Sequence, residues 1–165
     1  MQTLATNDEK LSAYNATSGI IPSPVESTII KVCSDRAVKD YLKTLKTPKC
    51  PKILYECSKL RIHGTEYKQG QYLILPESSN AVPVFGKVHK LLCCDTFGYI
   101  LYQETNSTYS SGADIYFVSD TTNFDVLPCI QLPSYHTLEG YPVGTDFGEG
   151  RPISLSIRNY IAEHV

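Results

Sequence analysis

Cysteine and histidine are the residue types in this chain with the widest chemical reach, because both bind metal ions and both take part in nucleophilic catalysis. The 165 residues include six cysteines and four histidines. They are Cys33, Cys50, Cys57, Cys93, Cys94 and Cys129, and His63, His89, His136 and His164. Two kinds of chemistry are therefore open at the outset: a zinc site, or a cysteine hydrolase in which a histidine activates a thiolate.

A zinc site would draw on Cys50, Cys57 and His63, with Cys93 or Cys94 completing the set. Structural zinc sites place cysteines roughly two to four residues apart, since a tight turn must present both thiolates to one ion. The gap between Cys50 and Cys57 is six residues, and adjacent cysteines in a strand point to opposite faces. We expect no metal and no other cofactor, with the cysteines reduced and several of them buried. A secreted domain with disulfides is the alternative.

No local signature assigns a catalytic role. The chain has no G-x-S-x-G elbow, and its glycines match neither a dinucleotide-binding fingerprint nor a phosphate-binding loop. The segment Asp95-Thr96-Phe97-Gly98 differs from the Asp-Thr-Gly of aspartic proteases by the inserted Phe97, and it lacks a second carboxylate to share a proton. We therefore expect no catalytic residue and no enzymatic activity. A cysteine hydrolase is kept as an alternative function.

Charge is distributed unevenly along the chain, although the formal net charge is only −2. Residues 1–61 hold ten Lys or Arg against six acids, whereas residues 62–165 hold five against eleven. The basic excess lies in residues 31–61, with nine basic and three acidic side chains. Such a stretch is typical either of a solvated helix face or of a nucleic-acid-binding surface. The nucleic-acid alternative rests on Lys39, Lys43, Lys46, Lys49 and Lys52.

Tyrosine is abundant, with twelve copies and no tryptophan. Its side chain combines a flat apolar body with a polar tip, which suits a surface that binds a protein partner. Six tyrosines in the middle of the chain are the candidates for such a surface: Tyr67, Tyr72, Tyr99, Tyr102, Tyr109 and Tyr116.

The elements that must position these residues follow from hydrophobic periodicity. Residues 1–28 carry no periodic apolar face and are predicted to form a flexible arm, followed by a single globular β-rich domain over residues 29–165. Apolar residues at helical spacing predict a helix over 34–46, with Ser34 as its N-cap and Pro48 beyond its end. Runs of β-branched and aromatic residues predict strands over 52–57, 59–63, 71–75, 82–94, 98–104, 113–118, 124–130 and 153–157.

Glycine and proline mark the connections between these strands. Gly98 is expected to supply a positive φ in a hairpin, while Pro83 and Gly86 indicate a sheet edge or a bulge. The four glycines and two prolines of residues 139–152 indicate a loop. The pattern predicts a mainly β fold, a small antiparallel barrel or sandwich with one N-terminal α-helix.

One stretch resembles a known family. Residues 64–75 read G-T-E-Y-K-Q-G-Q-Y-L-I-L, and F-G-K-V-H-K-L-L (85–92) and Y-I-L-Y (99–102) follow. This pattern resembles the opening of BAH-type and related SH3-like barrels. Residues 60–160 resemble still more the C-terminal domain of uncharacterised transposon-derived animal proteins.

The resemblance implies a BAH-like or SH3-like barrel and a binding role, because BAH modules read protein partners, often in chromatin. Gln71 stands where the barrel motif often has Asp, and the chain has no Trp for an aromatic cage, so no ligand-binding residue is carried over. We expect a non-catalytic, transposon-derived module that binds a protein partner in the nucleus or cytoplasm. Neither a secretory signal nor a membrane span is predicted.

Overall fold

The computed structural model describes residues 20–22, 29–78, 83–94, 97–141 and 151–153. The elements in chain order are β1 (Ile20–Pro22), β2 (Ile29–Val32), α1 (Arg36–Thr44), β3 (Tyr55–Cys57), β4 (Leu60–Ile62), β5 (Thr65–Tyr67), β6 (Tyr72–Ile74), β7 (Phe85–Cys93), β8 (Gly98–Ser110), β9 (Ile115–Pro128), a 3₁₀ helix (Cys129–Gln131) and β10 (Arg151–Ile153). The mainly β fold with a helix near its N-terminal side is confirmed.

The strands form two antiparallel sheets. The smaller sheet has the order β1–β4–β5, and the larger has the order β10–β9–β8–β7–β3–β2. Strands β6 and β3 share one edge of β7, since β6 pairs with its start and β3 with its end. Within the described residues the two sheets are open and do not form the closed barrel that was predicted.

Burial on both faces of the larger sheet gives a physical reason for its open form. Ile100 and Tyr102 of β8 pack in one core with residues of the smaller sheet. Their neighbours Tyr99 and Leu101 pack on the opposite face, where Val38 of α1 is fully buried. Because a separate layer covers each face, the sheet buries its apolar side chains without rolling up on itself.

The helix α1 is shorter than the predicted segment 34–46, and its cap differs. Asp35, rather than Ser34, precedes the helix, and its carboxylate makes no capping hydrogen bond. Instead, that carboxylate lies 2.6 Å from the Lys90 ammonium of β7. A longer-range ion pair has thus replaced the local cap that the sequence indicated.

The long hairpin of β8 and β9 also differs from the prediction. Strand β8 continues to Ser110, and β9 is one strand where two were predicted, over 113–118 and 124–130. Most of the polar residues in this part of the hairpin are exposed. The polar residues therefore do not end the two strands, because this part of the hairpin projects into solvent.

The special backbone positions lie elsewhere than predicted in two cases. Gly98 pairs with Cys93 inside the sheet, whereas the glycines with a positive φ that the structure describes are Gly64 (83°) and Gly70 (87°). The bulge in β7 falls between Val88 and Lys90 rather than at Gly86.

Several predicted segments lie wholly or partly outside the described residues. The predicted arm contains β1, which pairs with β4, and residues 1–19 and 23–28 of that arm are not described. The same holds for residues 142–150 of the predicted loop and for the last predicted strand beyond Ile153.

Candidate functional site

The six candidate tyrosines do not form a binding surface. Side chains of four of them are buried, with exposed fractions of 0% to 6%: Tyr67, Tyr72, Tyr99 and Tyr102. Tyr109 is 49% exposed and stacks at 4.9 Å against the half-buried Tyr116 on the projecting hairpin. The prediction of a shared tyrosine surface is wrong, because both faces of the sheet that carries most of these residues are covered.

All six cysteines lie within the described residues as thiols rather than disulfides, and four are buried: Cys33, Cys57, Cys93 and Cys129. A hydrogen bond with the Cys93 thiol, followed by burial, raises the pKa of Cys57. Burial raises the pKa of Cys33 and of Cys129. A raised pKa disfavours the thiolate that nucleophilic chemistry needs, so these buried thiols act as small apolar core residues.

One side-chain cluster has the spacing of a metal site. Ligand atoms of Cys33, Asp35 and Glu56 lie within 4.8 Å of one another. The Lys90 ammonium contacts both carboxylates, at 2.6 Å from Asp35 and 2.8 Å from Glu56. Since a cation of the chain itself already neutralises this pair, the cluster is an ion-pair network. It joins the N-terminus of α1 to β7.

Ion pairs divide the basic side chains into two groups. The carboxylate of Glu66 in the smaller sheet lies 3.7 to 3.9 Å from the cationic nitrogens of Lys59, Arg61 and Lys68. We call this the Glu66 patch. Lys43 on α1 similarly lies 2.9 Å from Asp40. In the described part of the chain, four exposed lysines have no ion pair: Lys39, Lys46, Lys49 and Lys52.

Three of these lysines, Lys39, Lys46 and Lys52, lie around one groove, formed by α1 and the segment that follows it. The groove has a volume of about 600 Å³, and Lys39, Lys43, Lys46 and Lys52 line it. Its described lining includes no aspartate or glutamate. We call it the lysine groove; several like charges around one concave surface favour a bound anion.

The rest of the lining is largely aliphatic. Leu42, Leu45, Pro48 and Pro51 contribute its apolar surface. The groove therefore offers burial for an apolar group beside four ammonium groups.

A recess of about 380 Å³ adjoins the groove and shares Pro51 and Lys52 with it. Lys49 lies there, so all five lysines of the nucleic-acid alternative border one continuous surface. The recess also contains Ile53 and Phe97, which are 48% and 37% exposed. Exposed apolar side chains next to cations are typical of surfaces that bind amphipathic segments.

The local sequence explains this arrangement. Lys39 and Lys43 lie four residues apart on α1 and so share a face, while Val38 points into the core. Beyond the helix, Pro48 and Pro51 break regular structure and turn the chain back beside α1. The sequence indicated the lysines but not the aliphatic lining of the groove. The available signal for that lining was the spacing of the two prolines after the amphipathic helix.

Comparisons of the chain with protein-family models, with curated proteins and with solved structures found no match. The resemblance to BAH-like, SH3-like and transposon-derived domains therefore stays a prediction. No helix within the described residues is long and apolar enough to span a membrane.

Proposed function

We propose that this chain is a non-catalytic interaction module, and that its lysine groove binds an acidic segment of a protein partner. The observation that carries the proposal is the lining itself: four lysines and no acid around an aliphatic surface. Three of the four, Lys39, Lys46 and Lys52, have no counter-charge within the described residues and remain available to a partner's carboxylates, whereas Lys43 is paired with Asp40. Charge complementarity of this kind raises the association rate and selects acidic partners.

The aliphatic surface favours a peptide over a nucleic acid. Proteins that bind single strands combine basic grooves with aromatic rings on which bases stack. The lysine groove itself is lined by leucines and prolines, and two aromatic rings of the described surface, Tyr55 and Phe97, lie in the adjoining recess. An acidic peptide with a leucine or phenylalanine anchor could satisfy both features, placing its carboxylates on the lysines and its anchor on Leu42 and Leu45.

Selection from a random-peptide display library tests the proposal, because the selection works without an identified partner. We expect enrichment of sequences in which Asp and Glu flank one or two apolar residues. Synthetic peptides from the selection should bind less tightly as salt concentration rises, since the contacts are charged and exposed. Enrichment without acidic residues would contradict the proposal.

Two triple variants locate the binding surface. The groove triple replaces Lys39, Lys46 and Lys52 by Gln, and the matched control triple replaces Lys59, Arg61 and Lys68 by Gln. Each lowers the net charge by three, so a general charge effect would be the same in both. We expect the groove triple to weaken peptide binding by about tenfold or more, and the control triple by less than about threefold.

A nucleic-acid arm uses the same two variants. A 20-nucleotide single strand and a 20-base-pair duplex are titrated at several salt concentrations. Nucleic-acid binding that is tighter than any selected peptide, steeply salt-dependent and lost only in the groove triple would assign the groove to phosphates instead.

A further inference from the structure

Thr47 is an exposed hydroxyl residue in the lining of the lysine groove, and Pro48 follows it. We propose that Thr47 is a phosphorylation site for a proline-directed protein kinase, and that its phosphate weakens binding at the groove. The modification stands on the structure around Thr47 alone. Its effect on binding rests on the proposed function.

The local structure makes the hydroxyl accessible. Residues 46–49 are all exposed, and they connect α1 to the segment before β3. The amide of Cys50 donates to the carbonyl of Thr47 at 3.1 Å, which closes a turn with Pro48 in the position that proline prefers. The Thr47 hydroxyl lies 2.8 Å from the Cys50 thiol, so reaching it disturbs one weak side-chain contact and no core packing.

The reaction is an ordinary phosphoryl transfer. The kinase positions Thr47 Oγ1 in line with the γ-phosphorus of ATP, and an aspartate of the kinase accepts the hydroxyl proton. A bond forms between Oγ1 and the γ-phosphorus, the bond from that phosphorus to the bridging oxygen breaks, and ADP leaves. Proline after the acceptor residue is what this kinase class recognises.

The charge of the product explains the effect on binding. A phosphothreonine carries about −1.5 to −2 at neutral pH and offers strong acceptor oxygens. Placed among the four lysines that line the groove, it would neutralise roughly half of their charge and compete for their ammonium groups. We expect the affinity for a selected acidic peptide to fall by about tenfold, with a weaker salt dependence.

Phosphorylation is tested on the full chain with ATP and two kinases, one of the cyclin-dependent class and one of the mitogen-activated class. Intact mass and peptide mapping should show one phosphate at Thr47, lost in Thr47→Ala and in Pro48→Ala, which keeps the hydroxyl. Ser23-Pro24 is the other Ser-Pro or Thr-Pro pair of the sequence, so Ser23→Ala is the matched control and should leave the Thr47 phosphate unchanged. Absence of phosphate at Thr47 with both kinases would overturn the proposal. It would do so even if a synthetic peptide of residues 41–53 were phosphorylated, because the proposal concerns the folded chain.

The binding arm separates the two proposals. Phosphorylated and unmodified protein are titrated with the same selected peptide, and Thr47→Glu is compared with Thr47→Gln, which differs only by charge. A phosphate at Thr47 that leaves the affinity unchanged would overturn the switch. Should the groove triple leave peptide binding intact, the proposed function would fail while the mapped phosphate still decided the modification site.

Discussion

Two surfaces of this molecule carry similar numbers of cations but differ in what surrounds them. In the Glu66 patch, three cationic side chains share a carboxylate of the same sheet. In the lysine groove, Lys39, Lys46 and Lys52 have no such partner within the described residues, and aliphatic side chains lie between them. Both surfaces keep a net positive charge, but each cation of the Glu66 patch already has a carboxylate beside it, whereas Lys39, Lys46 and Lys52 have none within the described residues.

This difference shows that a basic stretch is informative only once its acids are located. Lys59 and Arg61 belong to the same basic stretch of sequence as Lys39 and Lys46, and the sequence cannot separate the pairs. The acid that the first pair shares, Glu66, lies beyond the end of that stretch and is brought beside them by the pairing of β4 with β5. Strand register therefore decides which cations of the stretch have a carboxylate beside them.

The largest effect is expected from Lys90, whose ammonium joins Asp35 at the start of α1 to Glu56 of β3 in the larger sheet. Replacing Lys90 by Met leaves Glu56, whose side chain is only 12% exposed, without its closest cation. We expect the free energy of unfolding to fall by about 2 to 3 kcal/mol, measured by urea denaturation. The matched control is Lys87→Met, also on β7, whose partner Asp120 is 36% exposed. It should lose about 1 kcal/mol or less.

The pH dependence of the stability of wild type and of Lys90→Met tests whether the ion pair causes the difference between them. The hydrogen bond from Lys90 lowers the pKa of Asp35 below its usual value. A lowered carboxyl pKa in the folded state stabilises the protein above the unfolded-state pKa of about 4, and that contribution is lost as pH falls through the folded-state value. The stability difference between wild type and Lys90→Met should be full at pH 7 and shrink below about pH 4. A difference that is independent of pH down to pH 2 would point to packing instead.

A second, smaller effect comes from making the Glu66 patch resemble the groove. Glu66→Gln removes the carboxylate from all three cations while keeping the shape of the side chain. Because these contacts are long and partly exposed, the unfolding free energy should fall by about 1 kcal/mol or less.

The same variant asks whether unpaired cations alone make a binding site. Leu60, Ile62 and Tyr67 of this sheet are fully buried, so these three side chains add no apolar surface to the patch comparable to that of the groove. Calorimetric titration with a selected acidic peptide should still give one site per chain. A second site of similar affinity would show that the aliphatic lining contributes nothing to recognition.

The parts of the fold that were predictable are those with local periodicity. Alternation along β8 correctly indicated a strand, and apolar spacing around Val38 and Tyr41 correctly indicated a helix. Exposure was not predictable in the same way. Alternation separates Tyr99 from Tyr102 but does not say that α1 covers one face and the smaller sheet the other, and so the tyrosine surface was predicted wrongly.

The residue types of the candidate site were predictable, but the contacts of their side chains were not. Residue type alone pointed to Lys39 and Lys46, because their side chains are charged and lie near a helix. Their lack of partners could not be read from the sequence, since Asp35 and Glu56 are held by Lys90 and Glu66 by the smaller sheet. Those pairings depend on contacts between strands and a helix that are distant in the chain.

The smallest expected effect tests the comparison of the two surfaces most directly. The free energy of unfolding should stay the same or rise in one triple variant and fall in the other. The groove triple removes neighbouring like charges, which repel one another, so its unfolding free energy should stay within about 0.5 kcal/mol of wild type or rise slightly. The control triple leaves Glu66 without its three cations and should be less stable by up to about 1 kcal/mol. Both are measured by urea denaturation at low salt, where surface charge effects are largest. If the groove triple lost more than the control triple, the groove lysines would be stabilising the fold, and their availability to a partner would no longer follow from the structure.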